Sequence, residues 1–229
     1  MAVTAALQEV QRRIDAAAER AGRDPHDILL LPVSKFHPIE DIQEAMAAGY
    51  RSFGENRLQE IESKHALVPD ARFIMIGNAQ SNKAKIIVEC VAELHSLDSL
   101  SLASKLNKRL IDVGRRLPVL VQVNTSNEPQ KSGIQPEEAE SFARQLLELE
   151  NLNVQGLMTM AMFTDDQEAV ASCFKKLRDV QSRLQEEVPE LSSWHQLSMG
   201  MSNDFELAIE HGATIVRVGT AVFGPRPSE

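Results

Sequence analysis

One lysine of the 229-residue chain directly follows an apolar run that is typical of a buried strand. Lys35 comes after Ile-Leu-Leu-Leu-Pro-Val-Ser at 28–34. A lysine at the mouth of such a strand can be partly removed from water, which lowers the pKa of its amine and frees it to attack an aldehyde. A lysine whose ammonium group reaches solvent is the alternative, and position alone leaves both interpretations open.

Two later strand ends carry small residues and hydroxyl groups, a composition that suits the binding of an anion. They read Leu-Ser-Met-Gly-Met-Ser-Asn-Asp at 197–204 and Arg-Val-Gly-Thr-Ala at 217–221. Glycine lets a phosphate approach the backbone, and hydroxyl groups add hydrogen-bond donors. The candidate phosphate contacts are Ser198, Ser202, Gly219 and Thr220.

Two further polar residues, Arg217 and Asn56, stand at predicted strand ends. A buried arginine needs an anion or another acceptor, and a ring nitrogen of a ligand would serve. Asn56 ends Phe-Gly-Glu-Asn at 53–56, where its amide can hydrogen-bond a ligand or cap the helix that follows. The histidines have no metal-ligand spacing, so no metal site is predicted, and His37 is expected to be a solvent-facing turn residue.

These residues must be positioned by the elements around them, and the dominant pattern is an alternation of short apolar runs with helical segments. Because most runs have no polar face, we expect strands covered on both sides, as in a parallel sheet. Eight strand–helix units predict an α/β fold, the (β/α)8 TIM barrel, as one domain over residues 1–229 with an extra N-terminal helix at 3–21. An open doubly wound sheet is the alternative, but it would favour a glycine-rich turn after the first strand. The predicted strands are 28–33, 50–54, 73–77, 93–97, 119–124, 154–160, 195–199 and 214–219.

Closure of a barrel would place the last strand beside the first, and with it the phosphate-type loops beside Lys35. Barrels often bind phosphate at the loops after strands seven and eight. A ligand with an aldehyde at one end and a phosphate at the other would span this site. Pyridoxal 5′-phosphate (PLP) is such a molecule, held by a lysine Schiff base and tuned by a protein group at its ring nitrogen.

Several short motifs spread over nearly the whole chain carry a family resemblance. They are Leu-Pro-Val-Ser-Lys at 31–35, Phe-Gly-Glu-Asn at 53–56, Ile-Gly at 76–77, Gln-Ser-Asn-Lys at 80–83, Lys-Ser-Gly at 131–133, Gly-Leu-Met at 156–158, Leu-Ser-Met-Gly-Met-Ser at 197–202, Arg-Val-Gly-Thr at 217–220 and Phe-Gly at 223–224. On these motifs the sequence resembles the PLP homeostasis proteins, a family of small single-domain PLP-binding proteins. Strand three departs from the family pattern, since members often read Trp-His-Phe-Ile-Gly-His-Leu-Gln where this chain has Phe-Ile-Met-Ile-Gly-Asn-Ala-Gln at 73–80.

The resemblance implies a PLP barrel of fold-type III, like the N-terminal domain of alanine racemase. It implies that Lys35 forms the Schiff base and that Arg217 faces the pyridine nitrogen. Asn56 would lie beside the ring. The implied phosphate contacts are Ser198, Ser202, Gly219 and Thr220.

Two functions fit such a barrel. The resemblance implies a non-catalytic PLP carrier or regulator in vitamin B6 and amino-acid homeostasis, and the alternative is a PLP-dependent, racemase-like enzyme. A racemase needs a second base on the opposite face of the substrate. The sequence ends at Glu229, soon after the last predicted strand, and its one tyrosine, Tyr50, lies at the start of strand two, away from the mouth. Since an arginine at the ring nitrogen would also weaken PLP as an electron sink, we expect the carrier.

The composition narrows the partners and the compartment. Acidic residues outnumber basic ones by 33 to 24, and a net charge of −9 disfavours binding to nucleic acid. No apolar run is long enough for a membrane span, the N-terminus has no signal-peptide pattern, and the two cysteines are far apart, so we expect a cytoplasmic protein. We also expect a monomer whose partners are PLP, free amino acids and PLP-dependent apo-enzymes, with no nucleic acid and no membrane among them.

Overall fold

The computed structural model describes residues 2–126, 128 and 130–225. Within these residues eight strands form one parallel sheet. The strands are short and mostly buried, because helices cover one face of the sheet and the interior of a barrel covers the other. They are β1 (Leu29–Pro32), β2 (Ser52–Glu55), β3 (Arg72–Met75), β4 (Glu93–Leu97), β5 (Leu117–Gln122), β6 (Leu152–Met158), β7 (Gln196–Ser198) and β8 (Ile215–Val218).

Helices alternate with the strands along the chain. The α-helices are α1 (Val3–Arg20), α2 (Ile39–Ala47), α3 (Leu58–Leu67), α4 (Ala84–Cys90), α5 (Leu100–Asp112), α6 (Ala139–Leu146), α7 (Gln167–Glu187), α8 (Phe205–Glu210) and α9 (Thr220–Phe223). Short 3-10 turns occupy Pro25–Asp27, Ser81–Lys83, Pro136–Glu138 and Pro189–Leu191. Within the described residues, no helix combines the length and the apolar character needed to cross a bilayer.

The sheet closes almost completely into a barrel. Its strands pair in the order β1-β8-β7-β6-β5-β4-β3-β2, and β1 meets β2 through an isolated bridge between Val33 and Gly54. The register of β1 on β8 sets Pro32 opposite Val218. The predicted (β/α)8 barrel is therefore confirmed, and the open doubly wound sheet is wrong.

The extra N-terminal helix is confirmed as α1. Its buried positions include Val3, Leu7, Val10 and Ile14, which are spaced by three or four residues and so share one face of the helix. This face packs against the neighbouring helices α2, α8 and α9. The helix therefore covers the part of the barrel where the first and last strands meet.

Two apolar layers stabilise the barrel. The larger lies between the sheet and the helices, and its biggest fully buried side chains include Phe53, Phe73, Phe174 and Phe205. The smaller layer fills the barrel interior, as expected for a packed core rather than a pore. Its members are Leu31, Val33, Ile74, Ile76, Leu120, Met158 and Ile215.

Two glycines allow close approaches of the loops at the carboxyl end of the barrel. A Cβ on Gly77, just after β3, would lie 2.1 Å from the carbonyl oxygen of Asn56. Gly200, just after β7, has φ +93°, and a Cβ there would lie 2.6 Å from the Cβ of Ala208. Only glycine fits both places, so the loops after β2 and β7 are held against their neighbours.

Candidate functional site

Four consecutive strands of the barrel carry the sequence-predicted site residues at their carboxyl ends. Around the rim, β2, β1, β8 and β7 are neighbours. Asn56 follows β2, and Lys35 follows β1. The remaining candidates belong to β8, β7 and the loops after them: Arg217, Gly219, Thr220, Ser198 and Ser202. Parallel strands end at the same edge of a sheet, so the fold brings all seven residues to one face.

The end of β1 lies directly against the end of β8. The backbone N–H of Val33 donates to the carbonyl oxygen of Val218 at 2.9 Å. A Cβ on Gly219 would lie 3.3 Å from the carbonyl oxygen of Val33, so this glycine packs on the first strand two residues before Lys35. Lys35 and the loop after β8 therefore share one side of the barrel mouth.

Lys35 sits in a tight turn and is half-buried. The turn is closed by a hydrogen bond from the N–H of His37 to the carbonyl oxygen of Ser34, at 3.1 Å. Its third residue, Phe36, has φ +66°, a left-handed conformation that usually requires glycine in turns of this kind. The residue directly after Lys35 is thus held in an unusual backbone conformation.

Arg217 points into the barrel, where it is 3% exposed. Its guanidinium donates to the Ser198 hydroxyl and to the carbonyl oxygen of Thr159, both at 2.7 Å. Burial lowers the pKa of Arg217 to about 10, opposed by the charge of Asp204, so the group is still a cation at neutral pH. The two described hydrogen bonds go to neutral oxygens, which leaves the positive charge available to a ligand.

The four candidate phosphate contacts lie in different environments. The Ser198 hydroxyl is fully buried and accepts from Arg217, whereas Thr220 is exposed and Gly219 is half-buried. The Ser202 hydroxyl accepts from the N–H of Ala221 at 3.4 Å, which ties the loop after β7 to α9. Gly219, Ser202 and Thr220 therefore line one junction of two loops, and Ser198 lies beneath it.

The prediction for His37 is wrong. Its side chain is 7% exposed rather than solvent-facing. The imidazole ring packs on Phe223 of α9 with ring centroids 5.1 Å apart, and Nδ1 lies 3.2 Å from a carboxylate oxygen of Asp41. The ring is buried because α9 folds back onto the turn after β1, a contact that sequence reasoning about a local turn does not include. His37 thereby joins the two sides of the mouth.

Sequence reasoning also missed Thr159, which supports Arg217. It follows β6, and its hydroxyl donates to the carbonyl oxygen of Val123 at 2.8 Å. The same hydroxyl lies 2.9 Å from the hydroxyl of Thr125. Its own carbonyl oxygen accepts from Arg217. The available signal was a hydroxyl residue directly after the Gly-Leu-Met motif at 156–158, at the carboxyl end of a predicted strand.

His95 lies inside the barrel on β4 and was not singled out from the sequence. It is 1% exposed, its Nε2 lies 3.4 Å from a carboxylate oxygen of Glu93, and its Nδ1 has no hydrogen-bond partner among the described residues. Burial lowers its pKa, the nearby charge of Arg217 lowers it further, and Glu93 opposes both effects. The described residues contain no group of three or more side chains arranged to hold a metal ion.

The chemistry available at this face combines an amine, a buried cation and a junction of loops. The amine is that of Lys35, the cation is Arg217, and the junction is formed by the loops after β7 and β8. An amine can condense with a carbonyl compound, and a buried guanidinium binds an anion or a neutral acceptor. The site therefore suits a small ligand with an electrophilic carbonyl group, a hydrogen-bond acceptor and a negative charge.

Comparison with known proteins agrees with this fold. The sequence profile of the alanine racemase N-terminal domain matches residues 6–227. An alanine racemase from Clostridium difficile 630 shares the fold alone, with a TM-score of 0.78 at 17% identity over 100% of this chain and 58% of that chain. The fold and site thus define a barrel of the alanine racemase N-terminal class.

More similar proteins identify the family. A pyridoxal phosphate homeostasis protein from Aquifex aeolicus is 42% identical over 222 residues, which cover 96% of each chain. PipY from Synechococcus elongatus PCC7942, in a structure with PLP bound, matches with a TM-score of 0.81 and 36% identity, covering 93% of this chain and 100% of that chain. This chain belongs to the pyridoxal phosphate homeostasis protein family.

The lowered pKa of His95 predicts a stability change with pH. In the folded protein His95 stays neutral, while in the unfolded chain it takes up a proton below about pH 6.5, so the free energy of unfolding should fall as pH drops from there towards the folded pKa. One such group contributes a slope of at most about 1.4 kcal/mol per pH unit. In H95Q this contribution should vanish, as measured by urea unfolding from pH 7.5 to about 5. Equal slopes in the two proteins would contradict the assignment.

Proposed function

We propose that this protein binds PLP covalently through Lys35 and acts as a non-catalytic PLP carrier or regulator in vitamin B6 and amino-acid homeostasis. The observation that carries the proposal is the arrangement at the mouth, where the strand bearing Lys35 lies beside β8 with its buried Arg217 and the Gly219–Thr220 loop. The relatives named for PLP homeostasis and the PLP-bound PipY structure support the same ligand.

The donor set fits PLP. Arg217 is a buried cation with neutral partners, and a guanidinium in that state can donate to a pyridine nitrogen. Gly219 lies so close to Val33 that a side chain there would press on the end of the first strand. The glycine therefore allows the loop after β8 to lie close to that strand, near Lys35. The mouth thus combines a buried cation on β8 with an amine just after β1.

When bound, PLP would supply an aldehyde with which an amine can condense, releasing one water molecule. Lys35 would hold the ligand covalently through its amine, and Arg217 would orient the ring. Asn56, on the other side of Lys35, is proposed to lie beside the ring. The proposed phosphate contacts are Gly219, Thr220 and Ser202, with Ser198 acting either on the phosphate or through Arg217.

A carrier fits the site better than a racemase-like enzyme. The chain has one tyrosine, Tyr50, which precedes β2 and so lies at the amino end of the barrel, opposite the mouth. Burial raises the pKa of that tyrosine, which further disfavours its use as a base. Arg217, if it faces the ring nitrogen, would keep that nitrogen unprotonated and weaken PLP as an electron sink. Both features favour retention of the cofactor over turnover of a substrate.

The remaining expectations extend the same proposal. Free amino acids can exchange with Lys35 for the aldehyde, and PLP-dependent apo-enzymes are the proteins to which a carrier would deliver PLP. We propose that the protein works in the cytoplasm, on the basis of its composition and its two widely separated cysteines. We also propose that it works as a monomer.

Replacement of Lys35 tests the covalent link. The K35A protein should lose the near-ultraviolet to visible absorption that PLP gives when joined to a lysine, because the amine that follows β1 is no longer there to condense with the aldehyde. Borohydride reduction followed by peptide mapping should label Lys35 in the wild type and nothing in the variant. Labelling of Lys83 or Lys131 in the wild type would contradict the assignment.

Thr220 tests the phosphate contact. In T220V one hydroxyl donor to an anion is lost, a change of roughly 1–3 kcal/mol, so PLP affinity should fall by about one to two powers of ten. Affinity for pyridoxal, which has the aldehyde but no phosphate, should stay nearly constant. Isothermal titration calorimetry with both ligands measures the difference. Equal losses for the two ligands would move the phosphate to another place.

Hydrogen exchange separates the carrier from the racemase-like alternative. Without a second base at the mouth, a factor of about two to four powers of ten in rate is missing, so α-hydrogen exchange from deuterated water into amino acids should be slow. NMR and chiral chromatography on a panel of amino acids provide the measurement. Exchange or racemisation at ~1 s⁻¹ or faster, abolished in K35A, would establish the enzyme instead.

A further inference from the structure

A buried network of charged side chains lies behind the turn that carries Lys35. Glu55, the last residue of β2, is fully buried, and Lys64 of α3 is 7% exposed. Lys64 Nζ donates to Glu55 Oε1 at 2.6 Å and to Glu60 Oε2 at 3.3 Å. Its third described bond goes to the carbonyl oxygen of Ser34 at 2.8 Å. These contacts use the full donor capacity of an ammonium group.

The network holds the backbone on both sides of Lys35. On one side, the Ser34 hydroxyl donates to Glu55 Oε1 at 2.7 Å, in addition to the bond from Lys64 to the Ser34 carbonyl oxygen. On the other side, the N–H of Phe36 donates to Glu60 Oε2 at 2.9 Å. Three hydrogen bonds therefore fix the residues that flank Lys35.

A buried ion pair is a poor means of stabilising a fold, because removing the two charges from water offsets most of their attraction. Burial raises the pKa of Glu55, and Lys64 and Ser34 only oppose that effect. Glu55 Oε2 has no hydrogen-bond partner among the described residues. A network with this cost, placed directly behind one short turn, is better explained by what it does to the turn.

The turn itself has a conformation that needs support. Phe36 is the one non-glycine residue with positive φ among those described, and such residues persist only where their surroundings determine the backbone. The Arg57 guanidinium lies 4.9 Å from the centre of the Phe36 ring and adds a contact on the outer side. The left-handed Phe36 sets the direction in which the chain passes through Lys35.

We propose that Glu55, Lys64 and Glu60 are positioning residues that hold the turn so that Lys35 captures the aldehyde of a bound ligand. This inference rests on the proposed function. The three residues act through the hydroxyl and backbone of Ser34 and the backbone of Phe36, and not through contact with the ligand. Loss of the network should therefore weaken the condensation of the Lys35 amine with the aldehyde, which releases one water, and leave the phosphate contacts on β7 and β8 intact.

Two ligands separate capture of the aldehyde from binding of the phosphate. PLP has both groups, whereas pyridoxine 5′-phosphate keeps the ring and the phosphate but carries a hydroxymethyl group in place of the aldehyde. The full-length protein, freed of bound ligand, is titrated with each by calorimetry, and borohydride trapping on Lys35 is quantified by peptide mapping. The measured quantity is the preference for PLP, the ratio of the two dissociation constants.

The main variant is E55Q/K64M, which removes the buried charges together so that neither is left alone. E60A removes the Phe36 contact and the longer of the two carboxylate contacts of Lys64, at a partly exposed residue of α3, and leaves the Glu55–Lys64 pair in place. E62A removes a carboxylate from the exposed face of the same helix and is the matched control. In the double variant and in E60A, the preference for PLP should fall about ten-fold, the equivalent of one lost hydrogen bond to a charged group.

In those variants the affinity for pyridoxine 5′-phosphate should stay within about two-fold of the wild type, and E62A should match the wild type for both ligands. An unchanged preference for PLP would overturn the positioning role. This includes the case in which both affinities fall in parallel, since that result indicates general damage to the fold. If E55Q/K64M does not fold, E60A decides by the same criteria. A wild-type protein that shows no preference for PLP and no label on Lys35 would instead overturn the proposed function.

Discussion

The parallel pairing of β8 with β1 is the constraint on which the mouth of this barrel depends. It sets Pro32 opposite Val218, so the residues that follow the two strands lie at the same end of the barrel. As a result, Lys35 and the Gly219–Thr220 loop are neighbours although they lie at opposite ends of the sequence. The packing of His37 on Phe223 reinforces the same junction from outside the barrel. Any change that shifted this register would separate the amine of Lys35 from the loop after β8.

Two buried cations support the mouth in different ways. Arg217 is held by neutral oxygens of Ser198 and Thr159, so its charge is not neutralised by contact with a carboxylate in the described bonds. Lys64 is held by two carboxylates and a carbonyl oxygen, so its charge is largely cancelled and its hydrogen bonds serve the backbone. The first arrangement leaves the charge of Arg217 without a carboxylate contact, and the second ties the Lys64 ammonium group to the turn that carries Lys35. The division follows from the partners of each cation and not from its burial, which is similar.

The barrel, and the common end of it at which the candidate residues lie, could be predicted from sequence because both follow local patterns. Apolar runs that alternate with helices predict the barrel, and barrel closure then places Lys35 beside Gly219 and Thr220. The support for the site could not be predicted in the same way. Lys64 reaches back to Ser34, and Arg217 reaches to Thr159, so their roles depend on contacts between distant segments. His37 was misjudged for this reason, since its burial depends on α9.

The central claim is that one ligand spans the mouth from Lys35 to the loops after β7 and β8, over Arg217. A crystal structure of the full-length protein grown with PLP tests it most directly. We expect continuous density from Lys35 Nζ to the ligand, the ring nitrogen within hydrogen-bond distance of the Arg217 guanidinium, and the phosphate against Gly219 and Thr220. Density for PLP joined to a different lysine, or a phosphate bound away from the loops after β7 and β8, would contradict the account.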